Sequence, residues 1–152
     1  MTAILLSLLL VVTANTAAWA AARIFGTRLA APLDGGSTMP DGTRVLGDHK
    51  TWRGLIAAVV ACGLAAQLFR LGFGLGAAFG ALALLGDAAS SFVKRRLRLQ
   101  PGAEVVGLDQ LAEAVLPLIV LQGSLGIGLA GILVVSAAFT LLDVAATTLR
   151  HR

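Results

Sequence analysis

The chain has 152 residues, 57% of them hydrophobic and only 13% charged, and a net charge of +4. A soluble domain is about 45–50% apolar and about 25% charged, so the composition excludes an ordinary soluble fold. It predicts instead an all-α, polytopic integral membrane protein with a single membrane domain over residues 1–152. The cations are not interleaved with aromatics as in RNA-binding surfaces, which argues against nucleic acid as a partner, and the single cysteine, Cys62, leaves no disulfide and no cysteine-paired metal site.

Five apolar segments follow in chain order. The first, Thr2 to Ala22, has no Lys or Arg before Arg23 and is longer than the apolar stretch of a secretory signal, so it is expected to be a retained transmembrane helix. The second, Gly54 to Phe69, is short for a span, with Trp52 at its edge where an interfacial aromatic belongs. The third runs from Phe73 to about Phe92, the fourth from about Leu108 to Gln122, and the fifth from Leu125 to about Ala146. Gly72 and Gly123 are the expected breaks between the second and third and the fourth and fifth segments.

The cations fix a topology. Arg23, Arg28, Arg44, Lys50 and Arg53 fall in the first loop, Lys94, Arg95, Arg96 and Arg98 in the loop after the third segment, and Arg150 and Arg152 at the C-terminus. Only Arg70 lies on the other side. The excess of Lys and Arg marks the cytoplasmic face, so five transmembrane helices are expected, with the N-terminus outside and the C-terminus cytoplasmic. The 18 glycines include Gly72, Gly74, Gly76 and Gly80, and Gly123, Gly126, Gly128 and Gly131. Small residues at this spacing allow close helix approach, within the chain or in a homodimer.

The cytoplasmic loops, about 23–53 and 94–107, are expected to form the polar site. If the third helix continues to residue 95, Asp87, Ser90, Ser91, Lys94 and Arg95 share one face. That face presents a carboxylate, two hydroxyls and two cations. Mg²⁺ is commonly held by one or two carboxylates together with substrate phosphates, and Asp87 and Asp109 can supply them. Lys94, Arg95 and Arg96 can neutralise phosphate oxygens, although a basic run also anchors helices at anionic headgroups. Asp87 stands out because an intramembrane carboxylate is costly to keep. Asp48, Lys50, Thr51 and Arg53 crowd the start of the second helix, where free N–H groups favour anions; Thr51 or Asp48 serves equally as a plain N-cap. Asp34 and Asp41 stand in Asp-Gly turns. His49 is expected to be a solvated loop residue and His151 a tail residue. Asn15 suits either a helix–helix hydrogen bond or a contact with lipid substrate. Gln67 and Gln122 are expected to be structural, and Asp143 to lie at the inner end of the last helix. Gly-x-Ser-x-Gly and Walker-type phosphate loops are absent.

Taken in order, Asp34-Gly35-Gly36, Gly47-Asp48-x-Lys50-Thr51-Trp52-Arg53-Gly54, Gly86-Asp87-x3-Ser91-Phe92-x-Lys94-Arg95-Arg96 and Leu108-Asp109-Gln110 resemble the CDP-archaeol synthase family, short relatives of the CDP-diacylglycerol synthases. The resemblance spans roughly residues 15–115. It implies five transmembrane helices, a cytoplasmic active site, and transfer of a cytidylyl group from CTP to a membrane lipid phosphate with Mg²⁺, releasing pyrophosphate. It implies Asp87 and Asp109 as metal ligands, with Lys94 beside them in the catalytic set. Arg95, Arg96, Ser91 and Gln110 would then face phosphates, and Asp48, Lys50, Thr51 and Arg53 the nucleotide. The sequence departs from the family at one place. Three residues after the Asp of the Leu-Asp-Gln element the family usually has a second Asp, and here that position is Ala112, followed by Glu113. One position turns a helical side chain by about 100°, so either Asp87 and Asp109 suffice for the metal or catalysis is weak, altered or lost. A small transporter is disfavoured because the charges gather at helix ends rather than mid-membrane.

Overall fold

The computed structural model describes residues 2–99, 105 and 107–150, with Leu149 and Arg150 as backbone only. His151, Arg152, the Arg150 side chain and positions 100–104 and 106 of the predicted second loop lie outside the described residues. The described chain forms five helices, α1 (Thr2–Phe25), α2 (Trp52–Leu68), α3 (Phe73–Arg96), α4 (Leu108–Leu125) and α5 (Leu129–Arg150). Two isolated β-bridges, Pro32 with Thr51 and Thr38 with Arg44, are the only extended pairings among the described residues.

Four helices, all but α2, are long and apolar enough to cross a membrane. The 17 residues of α2 make a rod about 26 Å long, against a hydrocarbon core of about 30 Å. Helix α1 packs against every other helix, and α5 closes back onto it. The interior is built from small and medium side chains, among them Ala14, Ala58, Ala83, Ala114, Val11 and Val135, around Phe79 and Leu118. Large aliphatics such as Ile24, Leu68, Leu133 and Leu141 point outwards. In water this arrangement would be costly; in lipid, where burying Leu gains little, close packing of small residues is what joins helices.

Three of the four glycines of α3 act within the chain. A Cβ on Gly76 would strike the Cys62 carbonyl, one on Gly80 the Ala58 carbonyl, and one on Gly86 the Ala112 carbonyl. The helices therefore approach backbone to backbone along the α2–α3 and α3–α4 seams. The predicted break at Gly123 is corrected. Gly123 lies inside α4, and the helix ends three residues later at Gly126, in the left-handed conformation (φ 66°) with its N–H on the Gln122 carbonyl. A left-handed cap is what glycine supplies without a Cβ penalty; an unstrained Gly123 has no reason to stop the helix. Helix α3 runs a full turn beyond the expected Phe92, because Lys94, Arg95 and Arg96 are good helix formers and complement the negative end of the dipole.

Candidate functional site

The polar residues converge at the end of the bundle where α1, α3 and α5 finish and α2 and α4 begin. The first loop folds back through Asp34. Its Oδ1 accepts from the Gly36 N–H at 3.0 Å and from Arg44 Nη2 at 2.8 Å, and its Oδ2 accepts from the N–H groups of Leu46 at 2.9 Å and Gly47 at 3.2 Å. Burial of Asp34, whose side chain is 2% exposed, opposes ionisation. The Leu46 N–H, the Arg44 guanidinium and the Gly47 and Gly36 amides outweigh it and hold the carboxyl well below the usual carboxylate range. Asp34 is thus more than the turn residue expected from Asp-Gly; Asp41 does keep to a turn, accepting from Thr43 N–H and Oγ1 at 3.1 and 2.7 Å.

A depressed carboxyl pKa contributes stability that is complete above the unfolded value, near pH 4, and is lost as the pH falls toward the folded one. Hydrogen-exchange protection of the Leu46 and Gly47 amides is expected to hold from neutrality down to about pH 4 and to decline below it. Asp34→Asn should remove that decline and lower protection at neutral pH by about 10-fold, the loss of charge-assisted hydrogen bonds. Unchanged protection in the variant would show that the carboxylate does not anchor the loop.

Beyond this anchor, Thr51 caps α2, with its hydroxyl accepting from the Gly54 N–H at 3.4 Å. Lys50, just before the cap, reaches across to α3 and places Nζ 2.7 and 2.6 Å from the two Asp87 oxygens. One turn further along α3, Ser90 donates to the Asp87 carbonyl at 2.9 Å. Lys94 lies 2.7–2.8 Å from both oxygens of Asp109, which also accepts from the Val105 N–H at 3.2 Å. Ser91, Lys94 and Arg95 are buried on the same face of α3. Two lysine–aspartate pairs therefore connect the first loop to α3 and α3 to α4, and the predicted shared face of α3 is present.

A cavity of about 310 Å³ lies beside the first pair, walled by Asn15 and Trp19 of α1, by His49, Lys50 and Thr51, and by Asp87 and Glu113. Asn15 donates to Glu113 Oε2 at 3.1 Å, so it makes the helix–helix bond and also faces the cavity. Glu113, 6% exposed, is the carboxylate that follows Ala112, turned by about 100° from the position at which the family resemblance implies an Asp. The Ala112 carbonyl is pressed against Gly86, and Glu113 turns toward Asn15 of α1 and lines the same cavity as Asp87. The rule that singled out Asp87, an intramembrane carboxylate, applies equally to Glu113 and would have found it.

Other sequence-predicted residues lie outside this cavity. Arg53 Nη1 donates to the carbonyls of Gly26 and Arg28 at 2.6 and 2.7 Å, bracing the end of the first loop. Gln110 receives the Gly107 N–H at 2.8 Å and donates to Asp143 at 2.9 Å, joining α4 to α5. Arg96 stacks over Phe92, 5.2 Å from the ring centroid, and donates to Thr43 Oγ1 and the Arg44 carbonyl. Asp48 is an exposed partner of Arg44 at 2.6 Å. Asp109 is not on the wall of the 310 Å³ cavity. An apolar groove of about 710 Å³ runs along α1 and α2, lined by residues such as Ala17, Ala21, Ile24, Ile56 and Val60.

Comparison with known proteins bears on the family and the fold. The family model described as CarS-like, CDP-archaeol synthase, matches residues 1–75 and 65–149. Among similar curated proteins are CDP-archaeol synthases of Thermococcus gammatolerans, 40% identical over 99 residues (53% of each chain), and of Thermococcus onnurineus, 46% identical over 92 residues (53% of this chain, 54% of the relative). That of Aeropyrum pernix is 46% identical over 88 residues, covering 53% of this chain and 49% of the relative. The chain thus spans about half the length of the curated relatives it matches. A solved structure described as an intramembrane enzyme for archaeal membrane lipids biosynthesis is 36% identical, with a TM-score of 0.77, covering 94% of this chain and 91% of that one. With the family model matching nearly the whole length and the motifs gathered at one end of a helical bundle, the chain belongs to the CDP-archaeol synthase family.

Proposed function

We propose that the chain is a CTP-dependent cytidylyltransferase that joins the cytidylyl group of CTP to a membrane lipid phosphate, of archaeol or phosphatidate type, and releases pyrophosphate. The observation that carries this reading is the Lys50–Asp87 pair on the wall of a polar cavity at the end of an apolar bundle. All five helices cross the membrane in this reading, with the cation-rich end and the site in the cytoplasm. The multi-pass protein resides in the cell membrane, and membrane lipids surround it. The groove along α1 and α2 suits a hydrocarbon chain of the lipid substrate, with its phosphate toward the cavity.

The reaction needs no protein nucleophile, because a lipid phosphate oxygen attacks the α-phosphorus of CTP directly. Lys50 and Lys94 neutralise phosphate charge, and Arg95, Arg96 and Ser91 line the same end of α3. Thr51 and the free N–H groups opening α2 favour an anionic group there. The donor set fits Mg²⁺. Among the described residues there is no cluster of three or more metal-ligating side chains, but two carboxylates plus substrate phosphates are the usual Mg²⁺ arrangement. Asp87 and Asp109 would hold it, with Glu113 a third carboxylate on the Asp87 cavity. When bound it supplies Lewis-acid neutralisation of the phosphate oxygens.

A second reading, a family member that binds lipid or nucleotide with little turnover, is favoured by one observation, Ala112 in place of an acidic residue. Purified protein supplied with labelled CTP, Mg²⁺ and a panel of dialkyl- and diacylglycerol phosphates is expected to form CDP-lipid and pyrophosphate in equal amounts. CTP binding without product from any lipid phosphate would select the second reading.

A further inference from the structure

A second cavity, of about 420 Å³, opens among the polar loops and is lined by Arg44, Arg95 and Arg98, with Asp48 as its carboxylate. The 310 Å³ cavity has the opposite balance, with Asp87 and Glu113 against Lys50. Among the described residues, His49 alone lines both. Its backbone is fixed on either side. Gly47 takes a left-handed φ of 102°, and its N–H is held by Asp34 at 3.2 Å. Lys50 is held by Asp87, and the Lys50 N–H donates back to the Gly47 carbonyl at 3.3 Å. His49 is exposed, as a solvated loop residue should be, and sits on a short pinned turn that borders both cavities.

We propose that His49 contacts the phosphoryl group being transferred, with the arginine-lined cavity receiving the departing polyphosphate and the carboxylate-lined cavity the lipid phosphate. The inference rests on the proposed cytidylyl transfer. In-line displacement places the attacking and leaving oxygens on opposite sides of the transferred phosphorus. The group that borders both compartments then faces that phosphorus. A P–O bond forms from the lipid phosphate to the α-phosphorus as the bond to pyrophosphate breaks, and its electron pair leaves on pyrophosphate. No proton has to move, and the imidazole contributes an N–H hydrogen bond to a non-bridging oxygen.

The chain has two histidines, so ¹⁵N-histidine labelling gives two imidazoles, and His49→Gln identifies the one at position 49. Addition of CTP with Mg²⁺ to the wild-type protein is expected to shift the His49 resonances. His49→Ala should lower kcat by about 100-fold, the cost of losing one donor to developing charge, with KM for CTP nearly unchanged; His49→Gln, which keeps an N–H, should recover part of the loss. A His49→Ala variant with wild-type kcat, a change confined to KM, or no recovery in His49→Gln would overturn the proposal. Absence of CDP-lipid formation by the wild-type protein would instead remove the underlying transferase reading and this inference with it.

Discussion

Asp87→Asn is expected to lower cytidylyl transfer by about 10³-fold while leaving a folded protein, a loss of the size seen when a preorganised electrostatic group is removed. The substitution keeps shape and removes charge. It takes the counter-ion from Lys50, whose Nζ sits 2.6–2.7 Å from both Asp87 oxygens, and it takes a hard oxygen ligand from the proposed metal site. The pair is partly exposed, with side chains 18% and 22% accessible, so the cost in stability is expected to be only about 1 kcal/mol. The measurements are turnover with saturating CTP and lipid phosphate and a thermal melt in detergent. A variant retaining more than about a tenth of wild-type turnover would place the chemistry elsewhere. A variant that fails to melt cooperatively would show that the pair holds the first loop to α3 and does so more strongly than its exposure implies.

Gly86→Val is expected to be strongly damaging at the α3–α4 seam. A Cβ at position 86 would occupy the place of the Ala112 carbonyl, and the collision is with backbone, which cannot rotate away. Overpacking of this kind costs about 1–3 kcal/mol, occasionally more, and here it forces α3 from α4 next to Asp87. Gly74→Val is the control, since nothing lies within 4 Å of a Cβ there. The expected result is a large drop in melting temperature and loss of turnover for the first variant and neither for the second. Equal stability of the two would mean that the α3–α4 seam yields at little cost.

Much of the architecture could be read from residue order. The five apolar segments, the break at Gly72 and the gathering of cations at one end all reappear, because long apolar runs and charged loops are set by the solvent on either side. The end of α3 and the Gly126 cap were misplaced for a local reason: a basic helical turn and a basic loop look alike in sequence, as do two glycines three positions apart. The site was harder. Asp87, Lys50 and Lys94 announced themselves by charge near an apolar run. Glu113 carries the same signal, a carboxylate inside an apolar run, but that it faces Asn15 and the Asp87 cavity depends on how α4 is rotated against α1 and α3, which residue order does not set. Arg53 has a structural part that its charge alone does not reveal. The carbonyls of Gly26 and Arg28 come within reach of its Nη1 only once the first loop has folded.

The shortness of α2 has a consequence for the membrane itself. Its 17 residues leave it about 4 Å short of an average hydrocarbon core. In the proposed placement the leaflet must thin along that edge of the protein, at a cost of a fraction of a kcal/mol per Å. Thinning lowers the headgroups beside the α1–α2 groove. A lipid phosphate drawn to this edge would already sit nearer the level of Lys50 than its neighbours elsewhere in the bilayer, so the dent made by one short helix would deliver the substrate to the depth at which the charges wait.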